Sequence, residues 1–494
     1  MGFQWPSVRT GRASALMRIL FLLFILPALS ASAEAQRPRY DLVLTGGRVI
    51  DPATKLDGIR SIGITGRRIA AISAGPLAGR VTVDVEGLVI APGFIDLHAH
   101  GQDPFSSRLQ ARDGVTTALE LEGGADDVGA WYREREGLAV INYGATMSHG
   151  GARGEVIRDT LPNGPAVVYR NARPDEIERI AERVRAGVDQ GALGIGYGIQ
   201  YLPGTTRGEI VRMFRVAEER GVVNFVHDRF AAVKEPGSSV EAVQELIAAS
   251  AVTGAPVHLV HVGSSGLSQV PEILAMIEGA RKHGVDISTE IYPYTAASTD
   301  IRAAIFDPGW RERMGVDYRD IEWVATGERL DSVSFYRRRA EGGMIIAHVI
   351  PEAAVDFAVA HPLVAIASDG VTFVNGRAHP RGAGSYARVL GRYVREQKTL
   401  SLMEAIRKTT LLPAQRLEAS VPQMRNKGRI KVGADADLTI FDPARVIDRA
   451  TFAEPAVPSV GIVHVLVNGT FVVRDEAPVA GAVPGVAIRR PVRP

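Results

Sequence analysis

From Pro174 onward the chain alternates an amphipathic helix with a short apolar strand, and a polar side chain stands where each of several strands ends. Ile177, Ile180, Val184 and Val188 share one helical face after Pro174, and a strand follows at Leu193–Ile199. Ile210, Phe214 and Ala217 line the next helix, Gly221 ends it, and strand Val222–Val226 delivers His227. Val240, Val243 and Ile247 line another helix before Val257–Val260 delivers His261, and Ile273, Ile277 and Ala280 precede Gly284 and strand Val285–Ile291. His227 and His261 stand one βα repeat of about 30 residues apart. Repeats of this kind build a parallel sheet. The polar candidates follow successive strands: His98 and His100, Glu120 and Glu122, His149, His227, His261 and Asp369. Such a distribution favours a closed barrel, with its chemistry at the C-terminal ends of the strands.

The segment Pro92–His100 is an apolar run whose far end carries two histidines one residue apart. On an extended chain His98 and His100 point the same way, and two neutral imidazoles side by side are half of a metal site. With His227 and His261, four imidazoles converge on one axial cavity. Asp369, in Ala367-Ser368-Asp369-Gly370, is placed to bind metal or to carry a proton between water and a leaving group. A second metal needs a bridging anion. There is no cysteine, and no lysine between Lys55 and Lys234, so the bridge falls to Glu120 or Glu122. Glu122 is nearer the strand end and is the preferred one; a single-metal site is the alternative. His149 is a candidate for touching substrate, and Tyr292 in Tyr292-Pro293-Tyr294 either walls the pocket or packs in the core.

Short strands at Tyr40–Leu44, Ile62–Thr65, Ile69–Ile72 and Val81–Val85 precede the barrel, and Asp437–Phe441 and Val463–Val467 follow it, with Asn468-Gly469 as a hairpin turn. Two strand-rich flanks around a different middle suggest one small β-domain built from both ends. The expected organisation is a leader over 1–35, β-domain over 36–91 and 421–494, and barrel over 92–420, with an insertion near 319–341.

Arg9, Arg12 and Arg18, the apolar run Ile19–Leu29 and the A-x-A patterns around Ala31–Ala35 read as an export signal, with Met17 as an internal start. The run is shorter than the roughly 20 residues that span a bilayer. The mature chain is therefore expected to begin near Glu34 or Gln36, to be periplasmic or secreted, and to have no membrane partner. A net charge of +2 excludes a strong electrostatic draw toward nucleic acid. The absence of cysteine excludes disulfides, thiolate ligands and a cysteine nucleophile. No Walker loop is present, and Gly194-x-Gly196-x-Gly198 lies in a strand without dinucleotide-fingerprint spacing.

Taken together, Pro92–His100, Gly191–Gly198, Val226-His227-Asp228-Arg229, Tyr292-Pro293-Tyr294-Thr295, Ser368-Asp369-Gly370, His379-Pro380-Arg381 and Gly428–Leu438 resemble the amidohydrolase superfamily, in its D-aminoacylase (N-acyl-D-amino-acid deacylase) branch. The likeness runs from about Tyr40 to Val473. It implies an α/β fold, a distorted (β/α)8 barrel with a composite β-sandwich, and Zn2+ as one or two ions, other divalent metals being compatible. It also implies hydrolysis of an amide in a small molecule carrying a carboxylate. By that likeness His98, His100, His227 and His261 are metal ligands, Asp369 is the proton shuttle, and Arg381 or Arg229 grips the substrate carboxylate. The branch's cysteine ligand is absent, with Glu122 or Glu120 in its place, and Val262-Gly263-Ser264 stands where the branch usually has a lysine. The same site would serve a cyclic amide, a dipeptide, or a lactone or ester; a barrel that binds without chemistry is the rival of a different class. A homo-oligomer is compatible with the sequence.

Overall fold

The structure is a computed structural model in which residues 39–161 and 164–493 are described; the leader assigned to residues 1–35 lies outside them. Eight strands form one parallel sheet: β1 (Phe94–Asp96), β2 (Val115–Ala125), β3 (Asn142–Ser148), β4 (Gly194–Gly198), β5 (Val223–His227), β6 (Val257–Leu259), β7 (Ile287–Ile291) and β8 (Val364–Ile366). Each pairs with its neighbours in chain order. The ring is drawn shut just beyond the strand ends, where the backbone N–H groups of His100 and Gly101 both donate to Gly370 O at 2.8 Å. Asp96 staples the same seam: its carboxylate accepts from Ser368 N at 3.0 Å, His98 N at 3.1 Å and the Ser368 hydroxyl at 2.5 Å. β1 and β8 are short, so these side-chain bonds replace ladder bonds that the strands cannot supply.

The helices around the ring follow from local chemistry. Pro174 sits in the first turn of Pro174–Asp189, whose Ile180, Val184 and Val188 are fully buried against the sheet. Arg207–Arg220 ends at Gly221 in the left-handed region (φ 61°), and Ser239–Thr253 ends the same way at Gly254 (φ 76°). These caps turn the chain straight back into β5 and toward β6.

The two flanks share one nine-stranded sheet. Val89–Pro92 joins them, pairing in parallel with Tyr40–Asp51 on one side and antiparallel with Leu438–Phe441 on the other. Asn468 (φ 50°) and Gly469 (φ 79°) turn Ile462–Val467 into Thr470–Arg474, as a two-residue hairpin requires. Leu44, Val49, Ile62, Ile90, Leu438 and Leu466 pack the face of this sheet.

Between β7 and β8 the chain leaves the barrel for longer than the 319–341 insertion read from the sequence. Ala297–Asp300, Met344–Ala347, Ile321–Trp323 and Glu328–Arg329 form a separate four-stranded antiparallel sheet. Met344–Ala347 takes Ala297–Asp300 as a partner far back along the chain, a choice that local periodicity does not encode.

Candidate metal centre

His98 and His100 lie just past the end of β1, each turned by a carboxylate behind it. His98 Nδ1 is 2.7 Å from Glu290 Oε1 and His100 Nδ1 is 2.8 Å from Glu120 Oε2. With Nδ1–H donating outward, each ring offers its Nε2 lone pair to the cavity, and the two Nε2 atoms stand 3.1 Å apart. The support behind His98 continues: Glu290 Oε2 is 3.2 Å from His258 Nε2, and His258 Nδ1 is 2.7 Å from Ser288 Oγ.

Glu122 reaches the cavity because β2 bulges. Pairing with β3 slips between Glu120 and Ala125, so the run 121–124 loops inward. The slip needs glycine at two places. Gly124 has φ 72°, and a Cβ there would meet Thr146 Oγ1 at 2.6 Å; a Cβ on Gly196 of β4 would meet Glu122 O at 2.3 Å. The glycines of β4 thus make room for the backbone that carries the acid.

One Glu122 oxygen, Oε2, lies 3.0 Å from His100 Nε2 and 3.3 Å from His98 Nε2; the other, Oε1, lies 2.7 Å from His227 Nδ1 and 3.4 Å from His261 Nε2. Glu120 instead lies behind His100, with Gly123 N donating to its Oε1 at 3.1 Å. His227 ends β5, with its Nε2 2.9 Å from Gln200 Oε1. His261 adopts the left-handed region (φ 34°), which turns its ring inward to place Nε2 3.1 Å from His227 Nδ1. Asp369, also left-handed (φ 50°), faces His98 Nε2 at 3.4 Å and His100 Nε2 at 3.5 Å.

Two pairs of imidazole nitrogens facing each other at 3.1 Å around buried carboxylates are the donor set of a cation site. Among the described residues, the groups His98–His100–Glu122, Glu122–His227–His261 and His98–His261–Asp369 each bring their ligand atoms within 4.8 Å of one another. The electrostatics agree. Burial by itself would make His98 harder to protonate, yet Asp369, Glu122 and Glu290 reverse this and push it up to about 10. Burial would raise Glu122 too, but the histidines around it hold it well below the usual carboxylate range. The cage demands positive charge, which protons or a metal ion satisfy, so its residues fit zinc.

Arg381 begins the helix Arg381–Arg388 and is almost fully buried, its guanidinium 4.5 Å above the Tyr292 ring. Its Nη1 is 2.8 Å from Asp369 Oδ2 as an ion pair, but among the described residues neither Nη1 nor Nε finds a well-aligned hydrogen-bond acceptor. The Tyr292 hydroxyl is likewise buried without a hydrogen-bond partner among the described residues. Burial would raise the Asp369 carboxyl, but Arg381 and the histidines keep it ionised. Beside the cage lies a cavity of about 280 Å³, lined by His100, Glu122, His227, His261 and Asp369 together with Arg381, Ser264 and the insertion that carries the four-stranded sheet.

Two candidates lie elsewhere. His149 is fully buried in a network in which its Nε2 is 2.9 Å from Glu209 Oε1 and Arg153 binds the same carboxylate. Arg229 is clamped by Glu245 at 2.7 and 2.8 Å and donates to Thr205 O at 2.8 Å. Neither lines the cavity, because each finds an acidic partner on a helix outside the ring. Conversely, Asp96, Glu290 and His258 carry the support of the site without having been singled out in the sequence. Their one local signal is a charged or imidazole side chain within an apolar strand or run.

A model of the amidohydrolase family matches residues 132–473. The chain is 33% identical to an N-acyl-D-glutamate deacylase of Alcaligenes xylosoxydans xylosoxydans, over 92% of this chain and 97% of that one, and 29% identical to a D-aminoacylase of the same organism, over 90% and 97%. Among solved structures it resembles the N-acyl-D-glutamate deacylase of Bordetella bronchiseptica complexed with zinc and a phosphonate inhibitor. That likeness has a TM-score of 0.79 and 29% identity, covering 91% of this chain and 99% of that one.

Proposed function

We propose, on the premise that this chain belongs to the amidohydrolase family and to its D-aminoacylase branch, that it is a zinc-dependent hydrolase of the amide bond of an N-acyl amino acid. The observation that carries the reading is the cage: four imidazoles and two carboxylates turned on one cavity, with Arg381 buried and unsatisfied at its wall. His98, His100 and Glu122 would hold one ion, with Asp369 facing it; Glu122, His227 and His261 would hold a second.

Zinc, when bound, supplies positive charge that acidifies water and polarises a carbonyl. Asp369, kept ionised beside Arg381, takes the proton that the attacking water loses. The water oxygen bonds to the amide carbon, the C–N bond then breaks, and Asp369 returns the proton to the departing nitrogen. The products are a carboxylic acid, which keeps the water's second proton and ionises to the carboxylate by losing it to the amine or to solvent, and an amine. Arg381 directs its free N–H groups to the substrate's α-carboxylate, and Glu290 and Glu120 hold His98 and His100 in the tautomer that faces the cavity.

The test is release of free amine from N-acetyl amino acids by zinc-replete protein. Failure to release amine from any of them at full zinc occupancy overturns the reading. The leader-like residues 1–35 support an exported, periplasmic or secreted enzyme, which N-terminal sequencing of the fractionated protein checks. No helix among the described residues is long and apolar enough to cross a membrane.

A further inference from the structure

We infer that the amino acid this enzyme releases bears an uncharged, apolar side chain, and that N-acyl derivatives of acidic amino acids are refused. The inference rests on the amide-hydrolase reading above and names its substrate class.

It follows from a count of the charges that face the cavity. The floor is the cage. A further wall comes from the insertion between β7 and β8, whose Ile305, Phe306, Met314, Met344 and Val349 present an apolar surface. Outside the cage, and among the described residues, the charged side chains lining the cavity are Arg381 and Asp300, with no lysine. Arg381 is needed for the one carboxylate that every N-acyl amino acid has. Asp300 is negative and already bound by Arg302, whose Nε and Nη2 lie 3.1 and 3.0 Å away and which does not itself line the cavity. Arg339, near Phe306, is likewise bound to Asp307 at 2.7 Å.

A second carboxylate on the substrate would therefore lose its water against methionine, phenylalanine and isoleucine, meet only neutral groups such as the Ser264, Ser298 and Thr299 hydroxyls, or approach Asp300, with no free cation among the described lining residues to receive it. An apolar side chain gains from the same wall by displacing water. Two methionines in that wall make it adaptable in shape, so discrimination by charge exceeds discrimination among apolar side chains. In this respect the chain parts from its relative named for D-glutamate.

The experiment is a kcat/KM comparison on the full-length, zinc-loaded protein with the D- and L-forms of N-acetyl-leucine, -methionine, -phenylalanine, -glutamate and -aspartate. The expected result is that the best neutral substrate exceeds each of the four acidic ones by about a hundredfold or more. Acidic substrates within about tenfold of the neutral ones, or better, overturn the inference while leaving the hydrolase reading intact. Hydrolysis of none of the ten compounds overturns the hydrolase reading and this inference with it. In a second arm, Met344→Arg sets a cation in the apolar wall; it should raise kcat/KM for the acidic substrates about tenfold or more. An unchanged ratio in a folded, zinc-loaded variant overturns the placement of the side chain against this wall.

Discussion

Oε1 of Glu122 stands 2.7 Å from Nδ1 of His227, while the other oxygen of that carboxylate faces the His98–His100 pair. A single side chain thus joins the two halves of the cage, and its removal should separate them. Wild-type protein is expected to hold close to two zinc equivalents and Glu122→Gln to fall toward one or none. Elemental analysis checks this; an unchanged content in the variant would remove Glu122 as the bridge.

Asp369 faces the cage but shares it with five other ligands, so Asp369→Asn should keep most of its zinc. If Asp369 moves the proton, the same variant loses about 10² to 10⁴-fold in kcat. Zinc content and amine release measured on one preparation separate the two roles, and full turnover would discard the proton shuttle.

Glu290 touches no substrate in this scheme; it aims His98 from behind at 2.7 Å. Glu290→Gln should therefore weaken zinc binding about 10- to 100-fold, as loss of an outer partner of a metal histidine does. Competition against a chelator measures it, and an unchanged affinity would reduce Glu290 to a packing role.

Gly196 is the floor on which the Glu122 bulge rests. In Gly196→Ala the new methyl would meet Glu122 O at 2.3 Å and Leu121 O at 2.6 Å, both backbone atoms that give way poorly. A loss of about 1–3 kcal/mol in denaturant stability is expected, with lowered zinc content as the bulge shifts.

Lys427 ties the C-terminal flank together from a buried position, its Nζ 2.6 Å from Asp437 and 3.0 Å from Asp435. Burial lowers its proton affinity, but the two carboxylates outweigh it and raise it above the ordinary lysine range. A folded value above the unfolded one means the pair's stabilisation is complete below about pH 10 and is lost as pH rises through the folded value. Lys427→Met leaves the buried Asp437 carboxylate without its cation, held only by Asn142 and Asn468 N, and should cost about 3–5 kcal/mol at neutral pH by urea titration.

The barrel was legible because its signals are local. An apolar face recurring every three or four residues, a glycine at the helix end and a short apolar strand each declare themselves within a dozen positions, as Pro174–Asp189 and Gly221 show. Four candidate ligands stand out in the sequence for the same reason, since His98, His100, His227 and His261 each stand at or just past a strand end, where a barrel collects its polar groups. In the sequence only position along one strand separates Glu122 from Glu120; in the structure a bulge housed by Gly124 and Gly196 sets Glu122 between the two histidine pairs and leaves Glu120 behind His100.

What the sequence by itself determined is therefore the architecture and the kinds of atoms offered to a metal. Tertiary structure alone decided where each remaining side chain points. His149 and Arg229 follow strands as plausibly as His227 does, yet Glu209 and Glu245, on helices later in the chain, draw them away from the cavity. Glu290 becomes the support of His98 only because the segment just past β1 and the side chains of β7 meet inside the ring. Periodicity dictates which face of an element is buried; the partner it meets there depends on chain closure over long separations, which no local pattern carries.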